Sequence, residues 1–188
     1  MMTDAEFVRE VQAYEKTLYR VSRTILSSDA DCCDAVQEAL TSAWKHRNDV
    51  NPRFFKTWLL RILINECHHI GRRLKRLIPV EEMPEWPAPQ AEETGVMEAL
   101  QRIKEPWRIV LIMHELEGFT YAEIASVTRV PENTVKYRAV QARRALRREM
   151  ERQENELRGG ATRRKRERNG STNWTRLWAQ LQICFIAE

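Results

Sequence analysis

Apolar residues near the start of the chain recur at the spacing of an amphipathic helix. Thr3 and Glu6 form the pattern of a capping box, in which each side chain accepts a hydrogen bond from the other residue's backbone amide. Steps of four, seven, three and four residues then connect the apolar positions Phe7, Val11, Leu18, Val21 and Ile25. We therefore predict a first helix that begins after Thr3 and buries one face.

Two further helices are predicted before residue 77. Residues 27–31 (SSDAD) interrupt the first helix and supply side chains that can cap the next one. The second helix is predicted to run to about residue 44, and the loop HRNDVNPR follows it. A third helix is predicted from about residue 54 to residue 76. Residues 1–77 are thus expected to be an all-helical domain.

Helical periodicity resumes in residues 97–157, which we predict to be a second all-helical domain. Leu100 and Ile103 mark its first helix, and Pro106 is placed to start the next one. The fold class is therefore all-α, with two small helical domains.

The segment GFTYAEIASVTRVPENTVKYRAVQARRAL, at residues 118–146, predicts a helix-turn-helix. Thr120 and Glu123 form a second capping box. Pro131 separates the two helices, because it has no backbone donor and disfavours helix at Val130.

The second helix of this pair has two different faces. The apolar face carries Val135, Ala139, Ala142 and Leu146. The polar face carries Lys136, Tyr137, Arg138, Gln141, Arg143 and Arg144. A helix of this kind suits the major groove of DNA, and a helical hairpin with a solvated basic face is the alternative.

Residues 78–96 separate the two domains and predict a flexible acidic linker. They hold four of the chain's seven Pro residues. Residues 78–98 carry six Glu and no Lys or Arg, a net charge of −6, although the whole chain is +4. The remaining segments are each net basic, which is compatible with a nucleic-acid partner because basic surfaces displace counterions from phosphates.

Cysteine usage and the first residues indicate a cytoplasmic protein. The four Cys residues include no C-x-x-C spacing, so they do not form a disulfide framework. The N-terminal sequence MMTDAEFVRE does not resemble a signal peptide. No apolar run approaches the ~20 residues that cross a bilayer.

One face of the predicted second helix is polar and acidic. It carries Asp34, Gln37, Glu38, Thr41 and Lys45, and we call the first four of these residues the docking stripe. Such a stripe suits a basic partner helix. Its spacing alone favours the simple solvation of a surface helix.

The predicted third helix carries a basic stripe, which consists of Arg61, Asn65, His68, Arg72 and Arg76. Phe54, Phe55 and Trp58 lie at its start, beside the polar loop. Single-stranded DNA binds where rings stack on bases and cations meet phosphates. We assign Trp58 to the core, and the loop and the basic stripe to nucleic-acid contact.

No catalytic, cofactor or metal site is predicted. Cys67, His68 and His69 are consecutive, and consecutive residues diverge by about 100° on a helix, so they do not converge on one ion. The sequence shows no nucleophile–base pair, phosphate loop or paired carboxylates. We therefore expect neither an enzyme nor a small-molecule substrate.

Three segments, in order, resemble the bacterial RNA polymerase sigma factors of the extracytoplasmic-function group. DADCCDAVQEALTSAWK resembles region 2.2, and FFKTWLLRILINECHHIGRRLKR resembles regions 2.3 and 2.4. The helix-turn-helix segment resembles region 4. With the helices that flank them, these segments extend the resemblance over most of residues 3–155. It implies region 2 at residues 1–77 and region 4 at residues 97–157.

The resemblance implies a sigma factor that binds core RNA polymerase and directs promoter-specific initiation. It further implies a stress or envelope response under an anti-sigma factor, and a cytoplasmic protein that joins the nucleoid when bound to polymerase. A helix-turn-helix operator-binding regulator without polymerase docking is the alternative.

The resemblance also implies roles for individual residues. The docking stripe would meet the clamp helices of the largest subunit, while region 4 would meet the flap region. The acidic linker would thread toward the RNA path, and a solvated tether between the two domains is the alternative. The implied minus-ten contacts are Asn48, Arg53, Arg61, Asn65, His68, Arg72, Arg73 and Arg76. The implied minus-thirty-five contacts are Thr134, Lys136, Tyr137, Arg138, Gln141 and Arg144.

Three residues of the recognition helix depart from the family pattern. Asn133 stands where Gly is usual, Tyr137 where Ser is common, and Gln141 where Arg is common. All three lie on the DNA side. The resemblance therefore implies the helix-turn-helix without defining the bases that it reads.

Residues 158–188 form a tail that matches nothing in the family. A basic cluster, RRKRER at residues 163–168, comes first. A set of apolar residues at amphipathic-helix spacing follows, and we call it the tail stripe: Trp174, Leu177, Trp178, Leu181 and Phe185. A disordered extension, a partner-docking helix and a membrane-surface helix all fit this pattern.

Overall fold

The computed structural model describes residues 2–77 and 95–159, and every regular element in these residues is helical. The first half contains α1 (Asp4–Arg23), α2 (Asp29–Lys45), a short 3₁₀ turn (Pro52–Phe54) and α3 (Phe55–Leu77). The second half contains α4 (Gly95–Gln101), α5 (Glu105–Leu111), a π-helical turn (Ile112–Leu116), α6 (Tyr121–Thr128) and α7 (Glu132–Gly159). The predicted all-α class is confirmed. Residues 78–94 of the predicted linker and residues 160–188 of the tail lie outside the described residues.

The helix starts follow from local hydrogen bonds. The Glu6 amide donates to Thr3 Oγ1 at 3.2 Å, and the Thr3 amide donates to Glu6 Oε2 at 2.7 Å. Thr120 and Glu123 repeat this pair of bonds at 3.2 and 2.8 Å. Both predicted capping boxes are therefore confirmed.

The break between α6 and α7 is also confirmed. Arg129 follows the last residue of α6 with a φ of 56°, in the left-handed region that terminates helices. Pro131 then precedes α7, whose first residue is Glu132.

A continuous hydrophobic core joins the two halves of the described chain. Helix α3 contributes Phe55, Leu59 and Leu63 to it. The second half contributes Val110, Met113, Phe119, Ile124 and Val127. The packing of α3 is therefore shared between the two halves.

A second hydrophobic cluster lies within the second half. It includes Val96 and Leu100 of α4, Ile112 of the π-helical turn and Leu146 of α7. Helix α4 includes Gly95 and the buried Val96, two residues that the sequence assigned to the linker.

Arg108 is a buried cation at the junction of the halves. Its Nε donates to the Thr24 carbonyl at the end of α1, at 2.7 Å. Its Nη1 donates to the Leu100 and Gln101 carbonyls at the end of α4, at 3.3 and 2.9 Å. Arg108 thus satisfies carbonyls at two helix C-termini, where a positive charge is favourable.

Glu117 forms a second polar link between the halves. Its carboxylate accepts hydrogen bonds from Arg20 Nη1, at 3.0 Å, and from the Thr17 hydroxyl. Both partners lie on α1, so the end of the π-helical turn is held against the first half.

Candidate nucleic-acid and partner interfaces

The docking stripe lies on the solvent side of α2. The opposite side of the helix is narrow and buried, and consists of Cys32, Ala35, Ala39 and Ala43. These small residues allow close packing of α2, which makes its most extensive contacts with α3. As a result Asp34, Gln37, Glu38 and Thr41 are all exposed.

A groove of about 840 Å³ runs between α1 and α2, beside the docking stripe. Its apolar wall consists of Val36, Leu40 and Trp44, and the Trp44 side chain is 38% exposed. Its remaining lining residues are Glu15, Lys16, Tyr19, Arg20, Cys33, Gln37 and Thr41. Gln37 and Thr41 therefore belong both to the groove and to the docking stripe. Sequence periodicity did not reveal the groove, since it depends on how α1 and α2 pack.

The basic stripe of α3 is divided by the second half of the chain. Asn65, Arg72 and Arg76 are exposed, as is the neighbouring Arg73. Arg61 instead donates from Nη2 to Ser126 Oγ on α6 at 2.9 Å, and His68 Nε2 lies 2.9 Å from Glu105 Oε1 on α5. The structure thus places two of the predicted minus-ten residues at the junction of the halves.

Arg61 is incompletely satisfied at this junction. In the described part of the chain its Nε atom is buried and has no hydrogen-bond partner. A buried unpaired donor is unfavourable, because it has lost water without gaining an acceptor.

The aromatic residues at the start of α3 have different environments. Phe55 is buried, and Trp58 is half-buried with its ring centroid 5.9 Å from that of Phe55. The assignment of Trp58 to the core is consistent with this packing. Phe54 is 63% exposed and lies beside the exposed Arg53. The predicted minus-ten contacts do not include Phe54. Its position just before the first turn of α3 is the sequence feature that separates it from the buried Phe55.

The polar face of α7 is partly exposed. Lys136, Tyr137 and Arg144 are exposed, while Thr134, Arg138 and Gln141 are half-buried. Lys136 forms an ion pair with Glu132 one turn earlier, at 2.7 Å. We call the set of six predicted minus-thirty-five residues the recognition face.

Arg143 has a structural role instead. Its guanidinium binds Glu115 in the π-helical turn and lies near the Tyr121 hydroxyl. This contact fixes α7 relative to the rest of the helix-turn-helix. Arg143 lies on the predicted polar face, but it stabilises the orientation of that face.

The local surroundings shift the pKa of one carboxyl group, Glu123, and of two thiols, Cys32 and Cys67. Hydrogen bonds from the amide and hydroxyl of Thr120 lower the pKa of Glu123, so the cap retains its negative charge at the helix start. Burial raises the pKa of the Cys32 and Cys67 thiols, which keeps both protonated at neutral pH. Cys33, in contrast, is exposed in the groove.

Neither a metal centre nor a membrane span is found in residues 2–77 and 95–159. No three His, Cys, Asp or Glu side chains gather there as ion ligands. Within the same ranges, no helix is both long enough and apolar enough to cross a bilayer.

Comparison with known proteins identifies the family. The family model for sigma-70 region 2 matches residues 11–77, and that for sigma-70 region 4 matches residues 94–146. The chain is 31% identical over 145 residues to the extracytoplasmic-function sigma factor SigM of Mycobacterium tuberculosis, covering 71% of each chain. It is 27% identical over 157 residues to the sigma-E factor of Escherichia coli, covering 72% of this chain and 81% of that one.

A solved structure shares the fold. The sigma factor RpoE of Bartonella quintana, in complex with the anti-sigma factor NepR, aligns with a TM-score of 0.67 and 23% identity. The alignment covers 78% of this chain and 97% of that one.

The chain belongs to the extracytoplasmic-function group of RNA polymerase sigma factors. It is a transcription initiation factor that binds core RNA polymerase and directs it to promoters. The operator-binding alternative is not favoured.

Proposed function

We propose that three surfaces of this chain bind different partners during promoter-specific initiation. The docking stripe binds the clamp helices of the largest polymerase subunit, and region 4 also meets the flap region. The loop before α3 and the basic stripe contact the minus-ten element. The recognition face contacts the minus-thirty-five element. The exposure of the docking stripe together with that of Lys136, Tyr137 and Arg144 on the recognition face is the observation that carries this proposal.

The minus-ten surface combines a ring, cations and an amide. Phe54 is exposed, as are Asn48 and Arg53 in the preceding loop, which suits the stacking of an unpaired base next to a phosphate. Asn65 lies on the exposed part of the basic stripe, and its side chain offers both a donor and an acceptor to a base. This surface can therefore hold melted DNA.

Initiation in this scheme requires the two halves to separate. Arg61 and His68 reach promoter DNA only after their contacts with Ser126 and Glu105 are broken. Moving Arg61 from Ser126 to DNA costs less free energy because its Nε atom has no acceptor in the described structure. A DNA phosphate would supply that acceptor.

The proposed function includes regulation of this chain by an anti-sigma factor. The structural relative from Bartonella quintana was solved with such a partner. We infer the same class of regulator here, in a stress or envelope response, with the chain in the cytoplasm and at the nucleoid when bound to polymerase.

Substitution of Asn65 by Ala should impair promoter opening more than closed-complex binding. The amide would no longer bind the unpaired base, and a base contact contributes about 1–3 kcal/mol. We expect permanganate reactivity of minus-ten thymines to fall by roughly tenfold at equal promoter occupancy. Equal reactivity in the variant and the wild type would refute this role.

Substitution of Arg144 by Ala should weaken binding at the upstream element by roughly tenfold, since it removes an exposed cation from the recognition face. Gel-shift titration of the polymerase complex on duplex promoter DNA measures this change. Arg9→Ala removes the same charge from an exposed position on α1 and is the matched control. Identical affinities for the two variants would remove Arg144 from the interface.

A further inference from the structure

The groove between α1 and α2 leaves an apolar surface uncovered on an otherwise polar face. Val36, Leu40 and Trp44 form its wall. Exposed apolar surfaces rimmed by polar residues are characteristic of binding sites. An elongated groove between two helices suits an amphipathic helix, which would place its apolar face against the wall.

The tail of this chain has an apolar stripe of matching length. From Cys33 to Trp44 the groove follows α2 for twelve residues, a rise of roughly 16 Å at 1.5 Å per residue. From Trp174 to Phe185 the tail stripe also covers twelve residues. As a helix it would extend over the same roughly 16 Å.

The chain is long enough for the tail stripe to reach the groove. Residues 160–173 connect α7 to the stripe and can extend up to about 46 Å. Helix α7 has 28 residues and is roughly 42 Å long, so an extended tether can span back along its whole length. Because the tether is covalent and short, the tail stripe would be present near the groove at a millimolar effective concentration.

The charges of the tail and of α2 also favour docking of the tail stripe in the groove. Residues 163–168 contain five basic residues and one Glu. The groove lining holds one acid, Glu15, and two bases, Lys16 and Arg20, whereas the docking stripe beside it exposes Asp34 and Glu38. The basic cluster that precedes the tail stripe therefore complements the acids of the docking stripe on α2, which orients docking along that edge of the groove.

We propose that residues 174–185 bind as an amphipathic helix in the groove between α1 and α2 of the same chain. The docked tail covers Gln37 and Thr41, so it competes with the partner of the docking stripe. This consequence for polymerase binding rests on the proposed function of that stripe, whereas the docking itself does not.

Two cysteines allow a direct test in the full-length chain. Cys33 is exposed in the groove, and Cys184 lies three residues after Leu181 at the edge of the tail stripe. Cys32 and Cys67 are buried and should remain unmodified. Treatment with a short bismaleimide should link Cys33 to Cys184 within one chain, as detected by peptide mass spectrometry.

Paired variants test whether the apolar face drives docking. Leu177→Glu with Leu181→Glu places two charges on the tail stripe and should reduce the crosslinked fraction at least fivefold. Ala179→Glu with Gln180→Glu adds charges outside the tail stripe and should leave the crosslinked fraction unchanged. A missing crosslink, a crosslink only between two chains, or equal yields in both variants would overturn the proposal.

Binding to core polymerase separates this inference from the proposed function. The Leu177→Glu, Leu181→Glu variant should bind core polymerase about tenfold more tightly than the wild type, because the competing tail is released. If the intramolecular crosslink forms but no variant binds polymerase, the role of the docking stripe is wrong and tail docking stands. If all variants bind polymerase equally and no crosslink forms, tail docking is wrong and the docking stripe stands.

Discussion

Charge reversal by Glu38→Lys should abolish detectable binding of this chain to core polymerase. Glu38 is exposed at the centre of the docking stripe, so the substitution changes the interface without disturbing the buried side of α2. Like charges placed opposite each other at an interface cost several kcal/mol. We therefore expect the affinity for core polymerase to fall by at least roughly 100-fold in a fluorescence-anisotropy titration.

The same charge reversal at a remote acid is the control. Glu154 is exposed near the end of α7, far along the chain from the docking stripe. Glu154→Lys should bind core polymerase as the wild type does. Unchanged binding in Glu38→Lys would mean that the docking stripe is only a solvated helix face, as its spacing alone allowed.

Replacing Arg108 by Ala should lower the free energy of unfolding by about 3 kcal/mol. The substitution leaves three carbonyls at the ends of α1 and α4 without their charged donor. It also removes one of the polar links between the first half and α5, so the two halves should lose affinity for each other. Urea denaturation followed by circular dichroism measures the change.

Arg102 offers a matched comparison for this effect. It lies in the same half, pairs with Glu98 one turn earlier, and has a side chain that is 39% exposed. Arg102→Ala should cost at most about 0.5 kcal/mol, since exposed ion pairs contribute little. Equal losses in the two variants would show that the buried bonds of Arg108 do not stabilise the junction.

The helices could be predicted from the sequence because their signals are local. Capping boxes, apolar periodicity and the break at Pro131 each involve residues within a few positions of one another. The docking stripe could be predicted for the same reason, as residues at helical spacing share a face whatever the helix packs against.

Features that depend on packing between distant segments could not be predicted in this way. Arg108 and Thr24 are 84 residues apart, and no local pattern distinguishes Arg108 from an exposed arginine. Likewise Arg61 and Asn65 share the basic stripe, yet Arg61 contacts α6 while Asn65 is exposed. Regular spacing identified the stripe, but the position of the second half decides which of its residues are accessible.

Transcription from genomic DNA tests most directly whether this chain directs core polymerase to specific promoters. Purified full-length chain would be combined with core polymerase in a genome-wide run-off assay, with core polymerase alone as the control. We predict new, discrete start sites that share an upstream and a minus-ten element, and that disappear with Glu38→Lys. Core polymerase that starts at no promoter in the presence of the chain would contradict this role.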